Sequence, residues 1–180
     1  MPHLPDAPPS LHRWVERDRS LAQRLHRASA APLLVLLLRA ASRLGDGVIW
    51  YAAIVLLPWL GGASGTACAL RMALLGVVNL AIYRVVKRHF ARRRPFVACE
   101  GVKACARCLD EHSFPSGHAL HAIAFGAMLC AYYPSLAWIV WPFVALVAAS
   151  RVVLGLHYPS DVVVGAAIGW ATASAVLMLF

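Results

Sequence analysis

Residues 136–180 read LAWIVWPFVALVAASRVVLGLHYPSDVVVGAAIGWATASAVLMLF. The apolar stretches 136–156 and 162–180 each approach the roughly 20 residues that carry a helix across a hydrocarbon core. Around their junction stand Ser150-Arg151 and His157-Tyr158-Pro159-Ser160-Asp161, which hold every charged or titratable histidine side chain of the stretch. Apolar helices that meet at one titratable corner predict an all-α integral membrane bundle with its chemistry at one end.

The pattern repeats upstream. Apolar segments at 31–44, 47–60, 66–86 and 117–133 bring the total to six, so a six-helix bundle is expected. The first two are short and interrupted by Arg39 and Pro58, which fits tilted spans or a helical hairpin. Gly45-Asp46-Gly47 separates them, with Asp46 placed to cap the second. Gly61-Gly62-Ala63-Ser64-Gly65 reads as a tight turn, and Arg94-Pro95 ends the third segment, because proline removes a donor and disfavours helix before it. Gly165-x-x-x-Gly169 offers a close helix contact. The stretch 96–115 is the one long polar connection inside this region, and connections of that length are commonly functional.

Composition narrows the classes. A hydrophobic fraction of 61% and a mean hydropathy of +0.66 lie above the range of soluble domains, which argues against a nucleic-acid binder and against disorder. Five cysteines are too few for a disulfide scaffold. The net charge of +9 still asks for an anionic partner. Residues 1–10 read as a loose tail, and 11–27 as a basic amphipathic helix, either in the membrane interface or on a solvated face. A cleaved signal peptide is not expected. The organisation is therefore 1–30 as tail and basic helix, then 31–180 as a six-span catalytic membrane domain with an active-site loop at 95–116.

Three clusters carry chemistry. Lys87 and Arg94 are seven residues apart, about two helical turns, so both project from one face. Phe114-Pro115-Ser116-Gly117-His118 opens an apolar helix, where an N-cap serine, a glycine and free amides favour an anion. Ser150-Arg151 and His157 through Asp161 supply a cation, a second histidine and a carboxylate that orients it. Counting spans, the loops after the third and fifth segments emerge on the same side, so the clusters converge.

Lys-x6-Arg-Pro at 87–95, Pro-Ser-Gly-His at 115–118 and Ser-Arg-x5-His-x3-Asp at 150–161 together resemble the three-part signature of the type 2 phosphatidic acid phosphatase superfamily. The resemblance covers the chain from Asp46 onward and implies a helical membrane core shared with soluble vanadium haloperoxidases. It implies that His157 is a nucleophile forming a phosphohistidine, Asp161 its orienting partner, and His118 the acid and later base. It gives Lys87, Arg94, Ser116, the Gly117 amide and Arg151 the phosphoryl oxygens. No metal and no cofactor are implied.

Other residues have plainer readings. Arg88, Arg92 and Arg93 read as headgroup-binding surface charges. His121 is either a neighbour of the site or a packing residue. Cys99, Cys105 and Cys108 with His112 admit a zinc site, a disulfide or free thiols; Cys68 and Cys130 read as packing residues.

The expected function is an integral-membrane lipid phosphatase acting on a phosphate monoester or diphosphate, with undecaprenyl diphosphate ahead of phosphatidylglycerophosphate and phosphatidic acid. Its expected partners are a membrane lipid substrate and the bilayer, with no nucleic acid and no oligomeric state specified. Five arginines between 13 and 27 argue for a cytoplasmic N-terminus, and six spans then put the catalytic loops on the outer, periplasmic face of the cytoplasmic membrane. The rival readings are a membrane transporter and a zinc-clamped membrane scaffold.

Overall fold

The computed structural model describes residues 9–108 and 110–180, so most of the expected 1–10 tail lies outside the described residues. In chain order the helices are α1 (Pro9–His26), α2 (Pro32–Arg43), α3 (Ile49–His89), α4 (Pro95–Ala98), α5 (Gly117–Tyr132), α6 (Ala137–Val153) and α7 (Pro159–Leu179). No strand forms among the described residues.

α3 is two arms rather than one rod. Gly62 adopts φ +55° and ψ −134°, and a Cβ on Gly65 would lie 2.0 Å from the Leu57 carbonyl oxygen. A straight helix separates such residues by about 12 Å. The chain therefore folds back at Gly62, giving arms 49–61 and 63–89, and only glycine allows that backbone and that approach. Gly47, at φ +121°, makes the bend between α2 and α3. All six apolar segments are thus helical, as α2, the two arms of α3, α5, α6 and α7.

Three stretches are long and apolar enough to cross a membrane by length and composition: 32–89, 134–153 and 159–179; Gly117–Tyr132 is apolar but shorter. Apolar side chains such as Trp59, Leu70, Val77, Trp138 and Val163 face outward, which water would penalise and lipid accommodates. Inside, Trp50 packs its ring 5.6 Å from Phe125 and 5.9 Å from Phe143, with Met72, Leu75, Met128 and Val147 filling the space around them.

Small residues set the contact that positions the site. A Cβ on Gly165 would stand 2.5 Å from the Ser116 carbonyl oxygen, and one on Gly169 2.2 Å from that of Leu120. The Gly165-x-x-x-Gly169 contact therefore lets α7 lie directly on the α5 backbone. The Ser116 amide donates to the Asp161 carbonyl at 3.0 Å, which ties the two helix starts together.

The bundle has two distinct ends. At one, Arg71 donates to the Tyr132 hydroxyl and to the Phe180 carbonyl. At the other lie the ends of α3 and α6 and the starts of α5 and α7. α1 packs on this second end: the Ser160 amide donates to Asp18 at 3.1 Å, and His26 Nδ1 lies 2.9 Å from the Val153 carbonyl oxygen. This corrects the expected opposition of N-terminus and catalytic loops. α2, with 12 residues, is about 18 Å long, against a hydrocarbon core of about 30 Å. It lies beside the catalytic end, with Leu38 packed on Leu154 and Leu156.

Candidate active site

The turn between α6 and α7 presents the first histidine. Gly155 adopts φ +77°, and a Cβ there would strike the Lys103 carbonyl oxygen at 2.4 Å, so the 99–108 segment presses directly on this turn. The Cys105 amide donates to the Leu154 carbonyl at 3.0 Å. His157 is 2% exposed. Its Nε2 lies 3.2 Å from Arg94 Nη1, and since a guanidinium only donates, Nε2 accepts and the proton sits on Nδ1. Nδ1 faces Asp161 Oδ2 at 3.8 Å. Burial pushes the imidazole down to about 4; Asp161 opposes this, while Arg151 and Arg94 add to it.

Asp161 is fully buried at the start of α7. Its Oδ2 accepts the Tyr158 amide at 2.9 Å, and its Oδ1 accepts Arg92 Nη1 at 2.7 Å. Arg92 also donates to Asp18 on α1 and to the Ser160 hydroxyl, both at 2.7 Å, and its guanidinium carbon lies 3.8 Å from the centre of the Tyr158 ring. Burial disfavours the charge of Arg92, but Asp161 and Asp18 more than offset that and raise its pKa. The expectation that Arg92 is a surface charge is therefore corrected: Asp161 needs a counter-charge where water is excluded, and Arg92 supplies it. Arg88 and Arg93 are exposed.

The cationic cluster forms around a carboxylate absent from the expected site. Asp110 Oδ1 lies 2.7 Å from both Lys87 Nζ and Arg94 Nη2, and Oδ2 accepts the Tyr83 hydroxyl at 2.8 Å. Lys87 also donates to Tyr83 at 2.7 Å. Burial works against the Asp110 anion, yet the hydrogen bonds from Lys87, Arg94 and Tyr83 hold its pKa down at about 2. Arg94 is fixed further by the carbonyls of Asp110 at 2.9 Å and Leu156 at 2.8 Å.

α5 supplies the second histidine. The Ser116 hydroxyl caps the helix by accepting the Ala119 amide at 3.4 Å, and Gly117 packs on the Tyr83 ring, where a Cβ would fall 2.9 Å from Cε2. His118 Nε2 lies 3.2 Å from Asp46 Oδ1. Asp46 caps no helix here, which corrects that expectation. The bend at Gly47 turns its carboxylate toward His118 instead. His121 Nδ1 lies 2.9 Å from its own helix's Gly117 carbonyl oxygen. Arg151 is 3% exposed; it donates to the Ser42 hydroxyl at 2.6 Å, and its buried Nε has no hydrogen-bond partner.

Two cavities meet at His118 and Asp46. One, of about 470 Å³, is walled mainly by apolar groups including Trp50, Met72, Val77, Leu80 and Phe125. The other, of about 660 Å³, is lined by Arg39, Ser42, Arg43, Arg107 and Arg151. The arrangement can hold an anion among cations, an apolar tail beside it, and two histidines between.

The cysteines do not gather. Cys99 lies 3.5 Å from the Tyr158 hydroxyl, whereas Cys105 and Cys108 pack against the cluster of Leu38, Leu154 and Leu156. All five are thiols, and among the described residues no group of three His, Cys, Asp or Glu side chains has the geometry of a metal site.

Helices of membrane-spanning length, a buried histidine–carboxylate pair and a cationic pocket define a class: an α-helical membrane protein built to receive an anionic group at the edge of the bilayer. The PAP2 superfamily pattern matches residues 65–180, and the chain belongs to that superfamily. It is 30% identical over 116 residues to undecaprenyl-diphosphatase BcrC of Bacillus subtilis, covering 64% of this chain and 60% of that protein. It is 33% identical over 94 residues to an undecaprenyl-diphosphatase of Sulfolobus acidocaldarius, covering 52% and 46%. A third relative, 29% identical over 76 residues and covering 42% and 37%, is the bacitracin transport permease protein BcrC of Bacillus licheniformis. The chain thus spans less than two thirds of the length of these relatives. Among solved structures, LpxE of Aquifex aeolicus superposes with a TM-score of 0.73 at 25% identity, covering 88% of this chain and 93% of that one. A transmembrane PAP2-type phosphatidylglycerolphosphate phosphatase of Bacillus subtilis shares the fold, with a TM-score of 0.69 at 24% identity, covering 88% and 84%.

Proposed function

We propose that the protein is a membrane lipid phosphatase that hydrolyses a phosphate monoester or diphosphate through a phosphohistidine at His157. The observation that carries this reading is the buried His157: Nδ1 faces Asp161, and Nε2 is held at 3.2 Å from a guanidinium, beside cations and an apolar cavity.

Nε2 carries the free electron pair and attacks phosphorus; the bond from phosphorus to the leaving oxygen breaks. Asp161 stabilises the positive charge that the ring gains, as Arg92 holds the carboxylate in place. Lys87, Arg94 and Arg151, with Ser116 and the Gly117 amide at the helix start, neutralise the phosphoryl oxygens, and the substrate takes over the donors that Asp110 occupies. His118 gives its proton to the leaving oxygen, then takes one from the water that cleaves the phosphohistidine and releases inorganic phosphate. Asp46, whose Oδ1 lies 3.2 Å from His118 Nε2, orients the ring.

The names of two relatives support undecaprenyl diphosphate as substrate. The resemblance favours the outer face of the cytoplasmic membrane; because α1 packs on the catalytic end, that orientation places the N-terminal arginines outside as well. The test is phosphate release from a panel of lipid phosphates by the purified, reconstituted protein, with and without chelator. Release that vanishes in His157→Ala and is inhibited by vanadate, a trigonal-bipyramidal mimic of the transferred group, supports the reading. Undiminished release by that variant defeats it, and phosphate-independent passage of substrate across the vesicle favours a transporter.

A further inference from the structure

The phosphoryl-transfer steps above use Arg151 but leave three arginines of the basic cavity without a task. Arg39 donates from Nε to the Cys105 carbonyl. Arg43 and Arg107 are exposed and make no ion pair or hydrogen bond among the described residues. They line the same cavity of about 660 Å³ as Arg151 and His118. Its single carboxylate, Asp46, already faces His118 at 3.2 Å. Four guanidiniums thus surround a space with one occupied carboxylate, and one of the four is buried with an unpartnered Nε. Three exposed guanidiniums and one buried one facing the same space attract an anion into it.

The position of the cavity says which anion. In an in-line displacement the leaving group departs on the side opposite the attacking nitrogen, and His118 is the residue that meets the leaving oxygen. The basic cavity reaches His118, and its lining includes neither Lys87 nor Arg94, the donors that Asp110 holds. The apolar cavity opens at the same His118 and Asp46. A leaving group that fits both carries an anion next to the reacting oxygen and an apolar chain behind it. A lipid alcohol has the chain only.

Resting on the phosphatase reading, we propose that Arg39, Arg43 and Arg107, which line one cavity with Arg151, form a second anion site. It holds the phosphate that stays on the lipid, so the substrate class is a lipid diphosphate. His157 Nε2 bonds to the terminal phosphorus, the bond from that phosphorus to the bridging oxygen breaks, and the electron pair goes to the bridging oxygen. The bridging oxygen takes the His118 proton, so the products are phosphohistidine and a lipid monophosphate, whose anionic phosphate the arginines hold; water then releases inorganic phosphate.

The experiment compares farnesyl diphosphate with farnesyl phosphate in neutral detergent micelles, using the full chain and the Arg43→Gln/Arg107→Gln variant. Both residues are exposed, and an unchanged unfolding midpoint confirms the fold. The expected result is that the diphosphate-to-monophosphate ratio of kcat/KM falls roughly tenfold or more in the variant. A ratio that stays constant overturns the second site, whether both activities fall together or neither falls, and leaves the phosphatase reading standing. An effect seen only in vesicles of anionic lipid overturns it too, because the arginines then serve the bilayer surface. Absence of phosphate release from both substrates by the unaltered chain overturns the phosphatase reading, and this site with it.

Discussion

Arg92 Nη1 donates across 2.7 Å to Asp161 Oδ1, while the other oxygen of that carboxylate faces His157. The helix that precedes the bundle takes part as well, since Asp18 accepts the second Arg92 nitrogen at 2.7 Å. The back of the His157–Asp161 pair is thus a chain of charges from α1 to α7. Removing one partner of a buried pair costs about 3–5 kcal/mol, because the other charge remains uncompensated. Arg92→Ala should therefore lower the unfolding midpoint and depress kcat more than KM, as Asp161 loses its support. Arg92→Lys keeps the charge but not the fork, and should recover stability better than rate. Equal activity in Arg92→Ala, measured at a temperature where it is folded, contradicts the positioning role.

The pH profile follows from the burial of His157. Its ordinary value is 6.5, and the folded chain holds it at about 4. Between those values the unfolded chain binds a proton that the folded chain does not. The stability from this group is present above pH 6.5 and is lost as pH falls toward 4. His157, the proposed nucleophile, stays neutral over the same window, so the acidic limb of kcat/KM should fall near pH 4 to 5 rather than near 6.5. An acidic limb near 6.5 would contradict a buried imidazole held at about 4.

Asp110 occupies Lys87 and Arg94, the proposed phosphoryl donors. Its carboxylate holds Lys87 and Arg94 at 2.7 Å each, and a substrate phosphate must take both. Asp110→Asn should tighten inhibition by vanadate and lower KM, each by several-fold, since the amide is a weaker competitor. It should also cost stability of about 1–3 kcal/mol, because two cations lose their anion. Weaker vanadate inhibition in the variant would mean that Asp110 helps to build the phosphate site.

Gly169 is a mechanical test. A Cβ there would approach the Leu120 carbonyl oxygen to 2.2 Å, and the backbone cannot yield as a flexible side chain does. Gly169→Val should cost about 1–3 kcal/mol or more by overpacking. It should also separate His118 on α5 from His157, so activity falls before the helices melt. Thermal unfolding followed alongside activity resolves the two; coincident loss, or none, contradicts this contact as the spacer of the histidines.

The packing of α1 makes a topological prediction. Asp18 and His26 bind Ser160 and Val153, so a cysteine-reactive probe should reach an engineered Gln23→Cys and the native Cys105 from the same side of sealed vesicles. Labelling from opposite sides contradicts the packing.

Much of this was legible in the sequence because it is local. The apolar segments announce the helices, Gly61–Gly65 the tight turn, and the motif residues Lys87, Arg94, His118, Arg151, His157 and Asp161 their own convergence. What escaped depends on pairs distant in sequence. Arg92 stands among arginines in a run that includes exposed Arg88 and Arg93, and nothing local says that it turns inward. Its one signal is Asp161, a buried carboxylate that needs a counter-charge. Asp46 had a clearer mark, as the only acidic residue between 31 and 86, although its neighbouring glycines made it look like a cap. Asp110 lies in a loop whose path no periodicity records. The relation of α1 to the catalytic end failed for another reason: charge counting gives a side of the membrane only when every apolar segment crosses, and α2 is too short.

The central claim is that His157 becomes covalently phosphorylated. The direct measurement is to mix purified protein with a lipid diphosphate carrying a radiolabelled terminal phosphate, quench within the first turnover in alkali, and locate the label by peptide mapping. The expected result is an alkali-stable, acid-labile label on His157 that is absent from His157→Ala and accumulates when His118 is replaced by alanine in the presence of a good leaving group. A single turnover that releases labelled phosphate at full rate with no label on the protein would contradict it.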